Sequence, residues 1–279
     1  MTMKNAPGAV TSGPVRMTID PSMGGRIVSF TLDGFEFLTG TNIHPDNFGS
    51  TFWPSPQSMW NWPPPPALDN KPYESMQKGP GLSLVSEQDL NTGLQVQKEF
   101  RPGTKGRIQP TYTIINSGTE SRKAAPWEIT RANKGGLLFF PAGKTPVGKK
   151  HFDPARLEVL NGVIWYQDEK ERPSGNRLSI ADGSEGWTAY AIGGRVLIKK
   201  FRDVAPEDNA PGEAEVSLYV SGEADYIELE LQGPYREIKP GERLSWSVEW
   251  IAVETPPGLV VEKGSAELVD FVRGIVRHL

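Results

Sequence analysis

Alternating apolar and polar residues, separated by turn sequences, recur along most of this chain. Residues 24–40, GGRIVSFTLDGFEFLTG, contain two such stretches on either side of Asp33-Gly34, a dipeptide typical of β-hairpins. Similar pairs of stretches flank Asn161-Gly162 and Gly193-Gly194. About fourteen or more short strands, with no helical crossovers between them, are typical of an antiparallel sandwich or barrel. The pattern therefore predicts an all-β fold.

The end of the chain has a helical period instead. Within residues 264–279, apolar residues recur at the spacing of one helix face: Leu268, Val272, Ile275, Val276 and Leu279. Ser265 is a suitable N-cap for this helix. We expect a short C-terminal helix that covers an open sheet face, with an oligomer contact as the alternative.

The composition agrees with a strand-rich chain. There are 30 glycines and 25 prolines among 279 residues, an excess that is typical of many strands joined by turns. No change in composition divides the chain into halves. We therefore expect one domain over residues 1–279, with residues 1–14 flexible.

Charge and residue usage exclude several functions. The net charge is −4 and no basic block is present, so we expect no nucleic-acid partner. No apolar run approaches the roughly 18 residues of a membrane span. The three histidines, His44, His151 and His278, lack the spacing of a metal site, and there are no cysteines. We expect no metal and no other cofactor.

The compartment stays open at this level. The first residues lack the apolar stretch of a secretory signal. As written, the sequence predicts a cytoplasmic protein. A signal removed beforehand would leave the same sequence in a periplasmic or secreted protein.

Residues 49–73, GSTFWPSPQSMWNWPPPPALDNKPY, combine three tryptophans with seven prolines. Interior prolines exclude a helix and disfavour a central strand, so we expect a rigid loop. Trp53, Trp60 and Trp62 either form a platform for a ligand or cover the sheet as core residues. A stiff indole platform suits the C–H faces of a sugar ring. Asp69 and Asn70 could then bind hydroxyl groups, with Arg26 or Arg131 as donors.

Residues 226–232 predict a strand with a polar face. Tyr226, Glu228, Glu230 and Gln232 alternate with Ile227, Leu229 and Leu231. The polar face is either a solvated outer surface or the floor of a binding site. Two carboxylates spaced about 7 Å along a strand would raise the pKa of one of them, which suits proton transfer.

Two further residues are candidates for chemistry. His44 lies just before the tryptophan-rich segment and is the best histidine for proton exchange, although a surface histidine without a role is the alternative. Lys199 shares a strand face with Leu197 and Phe201. A lysine there either snorkels at a rim or lines a polar cleft.

The order of motifs resembles a known superfamily. The GGRIVSFTLDGFEFL run resembles the opening hairpin of galactose mutarotase-like proteins. The succession of FWPSPQ, APWEITR, GWTAYAIGGRVLIKKF and YIELELQGPYREIKPGERLSWSVEWIAVE is similar to DUF4380, a bacterial family within that superfamily. The likeness covers about Gly24 to Glu254. It implies a β-supersandwich of antiparallel sheets with a sugar-binding concave face.

The resemblance also implies roles for particular residues. Aldose 1-epimerases of this superfamily use a glutamate base late in the chain and a histidine acid to open and reclose a sugar ring. Glu228 or Glu230 falls where that glutamate is expected. Trp127 and Glu128 occupy the region of the expected histidine, so His44 or Lys199 would have to supply the acid.

The sequence thus predicts a carbohydrate-binding protein of mutarotase-like fold, whose partner is a mono- or oligosaccharide. It is either an aldose 1-epimerase-type isomerase acting on a hexose or uronate, or a non-catalytic glycan-binding or structural β-sandwich protein. The oligomeric state stays open. The predicted catalytic residues are Glu230, Glu228 and His44. The predicted substrate-binding residues are Arg26, Trp53, Trp60, Trp62, Asp69, Asn70, Trp127, Glu128, Lys199 and Gln232.

Overall fold

The computed structural model describes residues 6–169 and 171–278. Short strands dominate the first half of the chain. In order these are β1 (Gly8–Ser12), β2 (Val15–Asp20), β3 (Arg26–Leu32), β4 (Phe35–Glu36), β5 (Ser50–Ser55), β6 (Glu74–Lys78), β7 (Gly81–Val85), β8 (Leu94–Pro102), β9 (Arg107–Asn116), β10 (Arg122–Asn133) and β11 (Leu137–Pro141). A single-turn helix, α1 (Pro66–Asp69), lies between β5 and β6.

The second half continues in the same way and ends in a helix. Its elements are β12 (Gly148–Lys149), β13 (Glu158–Leu160), β14 (Val163–Gln167), β15 (Arg177–Ala181), β16 (Trp187–Ile192), β17 (Arg195–Lys200), β18 (Val216–Val220), β19 (Tyr226–Gln232), β20 (Arg236–Ile238), β21 (Arg243–Ser247), β22 (Glu249–Glu254) and α2 (Ala266–Arg277). Short 3-10 turns at Pro21–Met23, Gln57–Met59 and Pro206–Asp208 complete the described elements.

The strands form two antiparallel sheets. The first has the order β1-β2-β3-β5-β10-β19-β18-β15-β12, with β4 beside β3 and β20 beside β10. The second has the order β13-β14-β11-β16-β17-β22-β9-β8-β7-β6, with β21 beside β9. The predicted hairpins at Asp33, Asn161 and Gly193 join β3 to β4, β13 to β14 and β16 to β17. The predicted all-β fold is confirmed.

The main core lies between the two sheets. Each strand buries alternate side chains there, as the pleat requires: on β19, Ile227, Leu229 and Leu231 are at most 5% exposed. The opposite face of the first sheet is therefore free to form a site, and the opposite face of the second sheet needs a cover.

Helix α2 supplies that cover, as the sequence predicts. Ser265 caps it by accepting a hydrogen bond from the amide of Leu268 at 3.3 Å. Leu268, Val272 and Val276 are buried in a second apolar cluster with aromatic residues of β11, β14 and β16. Leu279, which the periodicity also included, lies outside the described residues.

Two local predictions need correction. Residues 1–14 were expected to be flexible, but Gly8–Ser12 pairs with β2 as β1, because Val10 is buried in the core at 1% exposure. Residues 49–73 were expected to be loop throughout, but Ser50–Ser55 is a strand near the centre of the first sheet. Pro54 is tolerated there because it faces Pro126, and the pairing of β3 with β5 is confined to Ile27 and Ser50.

Candidate functional site

A cavity of about 630 Å³ opens on the face of the first sheet that points away from the core. Side chains from β5, β10, β15, β18 and β19 form its floor, and residues 44–47, 57–62 and 150–152 form its walls. Its volume lies within the range of about 300–1,000 Å³ that is typical of small-molecule sites. The floor is rigid because its side chains come from paired strands rather than from loops.

The predicted polar face of β19 forms part of this floor. Tyr226, Glu228 and Glu230 line the cavity, while their neighbours on β19 point into the main core. Glu230 is only 5% exposed, and the side chain of Glu228 is 14% exposed. Neither carboxyl group therefore belongs to a solvated outer surface, which was the alternative interpretation.

The two carboxyl groups have different partners. The Nε atom of Arg131 donates to Glu228 Oε1 at 2.9 Å. The indole Nε1 of Trp127 donates to Glu230 Oε2 at 2.9 Å. A hydrogen bond from Glu230 also favours the charged form of Glu228 by lowering its pKa. The protonation of each carboxyl group therefore affects the pKa of the other.

Burial and mutual repulsion shift the pKa of both groups. Burial, followed by the charge of Glu228, raises the pKa of Glu230 to about 8. Burial also raises the pKa of Glu228, but Arg131 opposes this shift. Since like charges this close disfavour double ionisation, the single negative charge of the pair belongs on Glu228, beside Arg131. Glu230 is then a neutral carboxylic acid at pH 7.

Four indole rings form a cluster at the cavity, and three of them line it. Trp53 is central and meets Trp127, Trp60 and Trp62 edge-to-face, with ring centroids 5.5, 5.8 and 6.0 Å apart. Its Nε1 donates to Asp69 Oδ1 at 2.8 Å. Trp53, Trp62 and Trp127 line the cavity, whereas Trp60 packs behind Trp53 and donates to the Pro54 carbonyl at 2.8 Å.

The rings differ in exposure. Trp53 and Trp127 are 4% and 7% exposed, and Trp62 is 59% exposed. Trp60 packs against Trp53 without lining the cavity, and Trp62 presents an exposed ring to the cavity. The rings are separate from the main core, since Trp53 and Trp127 cluster with Ile129 on the cavity side.

His44 lies on the wall beside β19. Its ring meets Tyr226 edge-to-face at 6.2 Å. Its Nδ1 accepts from the amides of Asp46 and Asn47 at 3.1 and 2.9 Å. These bonds select the neutral tautomer with hydrogen on Nε2, so His44 suits hydrogen-bond donation to a ligand.

Lys199 and Glu128, two predicted binding residues, do not reach the cavity. Lys199 Nζ donates to Glu128 Oε2 at 2.6 Å, and both side chains are at most 2% exposed within the core between the sheets. Tyr112 and Trp250 donate to the other oxygen of Glu128 at 2.7 and 2.9 Å. Successive residues of a strand point to opposite faces, so Trp127 and Glu128 could not both line one site.

Arg26, Asp69 and Asn70 lie outside the cavity lining. Asp69 accepts from Trp53 and forms an ion pair with Arg26, with Nη2 and Oδ2 3.5 Å apart. The pKa of the buried Arg26 is lowered to about 10 by burial, which Asp69 opposes. This pair holds Trp53 from behind. Asn70 is exposed at the end of α1.

Gln232 is also a supporting residue. Its Oε1 accepts from Ser55 Oγ at 2.7 Å, and its Nε2 donates to Glu213 Oε2 at 3.2 Å. Glu213 lines the cavity and pairs with Lys150, which lines it too. The sequence analysis missed this pair because the partners are distant in the chain and neither belongs to an alternating strand pattern.

No group of three or more histidine and acidic side chains in residues 6–169 and 171–278 is placed to hold a metal ion. No helix among the described elements is long and apolar enough to cross a membrane.

Residues 46–253 match the family described as "Domain of unknown function (DUF4380)". A comparison with curated proteins found no match. Many solved structures share the fold, and they include galactose mutarotase-like and aldose 1-epimerase-like proteins.

Three of these structures show the extent of the likeness. A TPR-domain containing protein from Parabacteroides distasonis is 16% identical with a TM-score of 0.62, and the match covers 89% of this chain and 48% of that one. This chain therefore spans about half the length of that protein. A galactose mutarotase-like protein from Lactobacillus casei is 12% identical with a TM-score of 0.60, covering 88% and 100%. A galactose mutarotase related enzyme from Lactobacillus acidophilus is 8% identical with a TM-score of 0.61, covering 90% and 99%. At such identities the likeness shows the fold.

Proposed function

The chain belongs to the DUF4380 family, and from its fold and its cavity we propose that it binds a reducing sugar and interconverts its two anomers. The observation that carries this proposal is the pair Glu228 and Glu230 on a cavity floor beside Trp53, Trp62 and Trp127, with Arg131 bound to Glu228 and Trp127 bound to Glu230. Indole faces suit the C–H faces of a sugar ring. Fold alone does not transfer function, so the proposal rests on this site.

Anomer exchange needs an acid and a base at the same carbon. Glu228 accepts the proton of the anomeric hydroxyl while Glu230 donates its proton to the ring oxygen. The bond between the anomeric carbon and the ring oxygen breaks, and the anomeric carbon becomes an aldehyde. Rotation of the aldehyde followed by the reverse transfers closes the ring as the other anomer, and both carboxyl groups regain their starting protonation.

The surroundings of the pair support this division of roles. Arg131 donates to Glu228 and stabilises its charge. Burial and Glu228 keep Glu230 protonated, with a pKa of about 8, near the pH at which a general acid is most effective. The anomeric hydroxyl oxygen and the ring oxygen are both bonded to the anomeric carbon, so two adjacent carboxyl groups can reach both oxygens. The acid in this proposal is therefore Glu230, with His44 as a hydrogen-bond donor to the sugar.

The charge of the cavity favours a neutral sugar over a uronate. Glu213, Glu223 and Glu228 line the cavity. Among the described residues, Lys150 also lines it, but this lysine already forms an ion pair with Glu213. An acidic sugar would bring a further negative charge into this site. A neutral hexose gains hydrogen bonds from the same groups without that repulsion.

The proposal is tested by NMR saturation transfer between the α and β anomers of neutral hexoses. The wild type is expected to accelerate the exchange over buffer, and Glu230→Gln should lose at least about a hundredfold of that acceleration, the lower bound for general acid–base catalysis. Glu237→Gln, on the exposed edge strand β20, is the control and should match the wild type. Exchange at the buffer rate across the sugar panel would refute catalysis and leave a non-catalytic binding protein.

A further inference from the structure

Two exposed aromatic rings face the same cavity. Among the large apolar side chains that are exposed in the described chain, Trp62 and Phe152 are the two aromatic ones, at 59% and 44%. Both line the cavity. Two partly exposed aromatic rings on one cavity suit contact with a ligand.

The two rings stand above different strands. Trp62 rests on Trp53 of β5, with centroids 6.0 Å apart, and Phe152 rests on Tyr219 of β18, also at 6.0 Å. The order β5-β10-β19-β18 puts three strand spacings between the strands that carry these supports, which is about 14 Å. The register adds an offset along the strands, because Trp53 aligns with Gln232 of β19 and Tyr219 aligns with Glu228. This distance exceeds the width of a single pyranose ring.

The carboxyl pair lies between the supports of the two rings. Glu228 is directly opposite Tyr219 in the register of β18 and β19, one strand spacing from the support of Phe152. The support of Trp62 is two spacings away on the other side. A sugar unit that binds Glu228 and Glu230 and extends towards Tyr219 and Phe152 leaves Trp62 uncovered, because Glu230 accepts from Trp127 at the edge of the tryptophan cluster.

We propose that the cavity has a second sugar subsite at Trp62, so that the ligand is a neutral reducing disaccharide or longer oligosaccharide. The reducing-end unit occupies the subsite of the carboxyl pair, Tyr219 and Phe152. The next unit stacks on Trp62, at the exposed side of the tryptophan cluster. This inference rests on the proposed function for the placement of the reducing end, and it adds the class of substrate.

The inference is tested by dissociation constants, measured by isothermal titration calorimetry for sugars that share a reducing-end unit. Glucose is compared with maltose, cellobiose and lactose, and mannose with mannobiose. For at least one pair the wild type should bind the disaccharide at least about tenfold more tightly than the monosaccharide, a difference expected from one aromatic stacking contact. Trp62→Ala should bring this ratio close to one.

Two further variants separate the subsites. Phe152→Ala should weaken both members of a pair by a similar factor and leave their ratio in place. Met76→Ala, an exposed apolar residue on β6 of the other sheet, controls for the loss of exposed apolar surface and should leave the ratio at its wild-type value.

The outcomes distinguish the subsite from the proposed function. Equal affinities within every pair, together with accelerated anomer exchange, would overturn the subsite and leave the function. A preference for disaccharides that Trp62→Ala abolishes, without accelerated exchange, would support the subsite and refute catalysis. No binding of any of these sugars at millimolar concentration would overturn both.

Discussion

The protonation state of Glu230 depends on the residues that surround it. The alternation along β19 was enough to predict that Glu228 and Glu230 share a face with Tyr226, and the structure agrees. The sequence could not show which of the two carries the charge. That depends on Arg131 and Trp127, which approach from β10 and lie about a hundred residues earlier in the chain.

The same pair predicts a pH profile for anomer exchange. The reaction needs Glu230 protonated, so its rate should fall as the pH rises through about 8, the pKa of that carboxyl group. It should also fall at low pH, where Glu228 becomes protonated and no base is left. A bell-shaped plot of kcat/KM against pH, measured by NMR exchange, is the expected result.

Trp127 should set the alkaline limb of this profile. Its hydrogen bond to Glu230 lowers the pKa of that group, so Trp127→Phe should raise the pKa and move the limb to higher pH. Trp60→Phe is the matched control, because Trp60 donates to the Pro54 carbonyl and does not touch Glu230. An alkaline limb that stays in place in Trp127→Phe would show that Glu230 is not the group that titrates.

At the scale of elements, β10 connects the cavity to the core. Its cavity face carries Trp127 and Arg131, and its core face carries Glu128, which Lys199, Tyr112 and Trp250 hold by hydrogen bonds. Glu128 was assigned to the site from the likeness between motifs, which does not say which face of a strand a residue occupies. Lys199 was assigned because a lysine on the face of Leu197 and Phe201 could line a polar cleft, but it lies in the core. The two-residue period of the strand, applied to Trp127 and Glu128, would have separated them.

This connection predicts a large loss of stability for Glu128→Ala. The substitution would leave the buried Lys199 without a counter-ion and should lower the free energy of unfolding by about 3–5 kcal/mol, measured by urea denaturation. Lys78→Ala breaks the exposed pair with Glu99 and should cost at most about 1 kcal/mol. The double substitution Glu128→Leu with Lys199→Met should recover most of the loss, because no unpaired charge then remains. Similar losses in the single and double variants would contradict this account.

The tryptophan-rich segment marks where element prediction failed. Its prolines were expected to exclude a helix, but Pro66–Asp69 forms the single-turn helix α1, because a proline is tolerated at the first positions of a helix. The strand β5 was not predicted because a proline such as Pro54 is disfavoured in a central strand. Pro54 is tolerated in β5 because it faces Pro126, which lies in a distant part of the chain.

At the scale of the whole molecule, local patterns predicted the class of fold but not the order of the strands. Hairpins such as β3–β4 follow from their turn residues. The neighbours that form the cavity floor, β5 with β10 and β10 with β19, are pairings between segments distant in sequence, which no local pattern encodes. The fold could still be predicted, because the order of several motifs resembles that of mutarotase-like proteins. The structural likeness to solved structures at 8–16% identity confirms that fold.

The most direct test of the account is a crystal structure of the protein soaked with a neutral reducing disaccharide that it binds in solution. The account predicts the anomeric carbon of the reducing-end unit over β19, with its hydroxyl and its ring oxygen within hydrogen-bond distance of Glu228 and Glu230. It also predicts the second unit against Trp62. A sugar bound elsewhere on the molecule, with the cavity between Trp53 and Tyr219 occupied only by water, would contradict it.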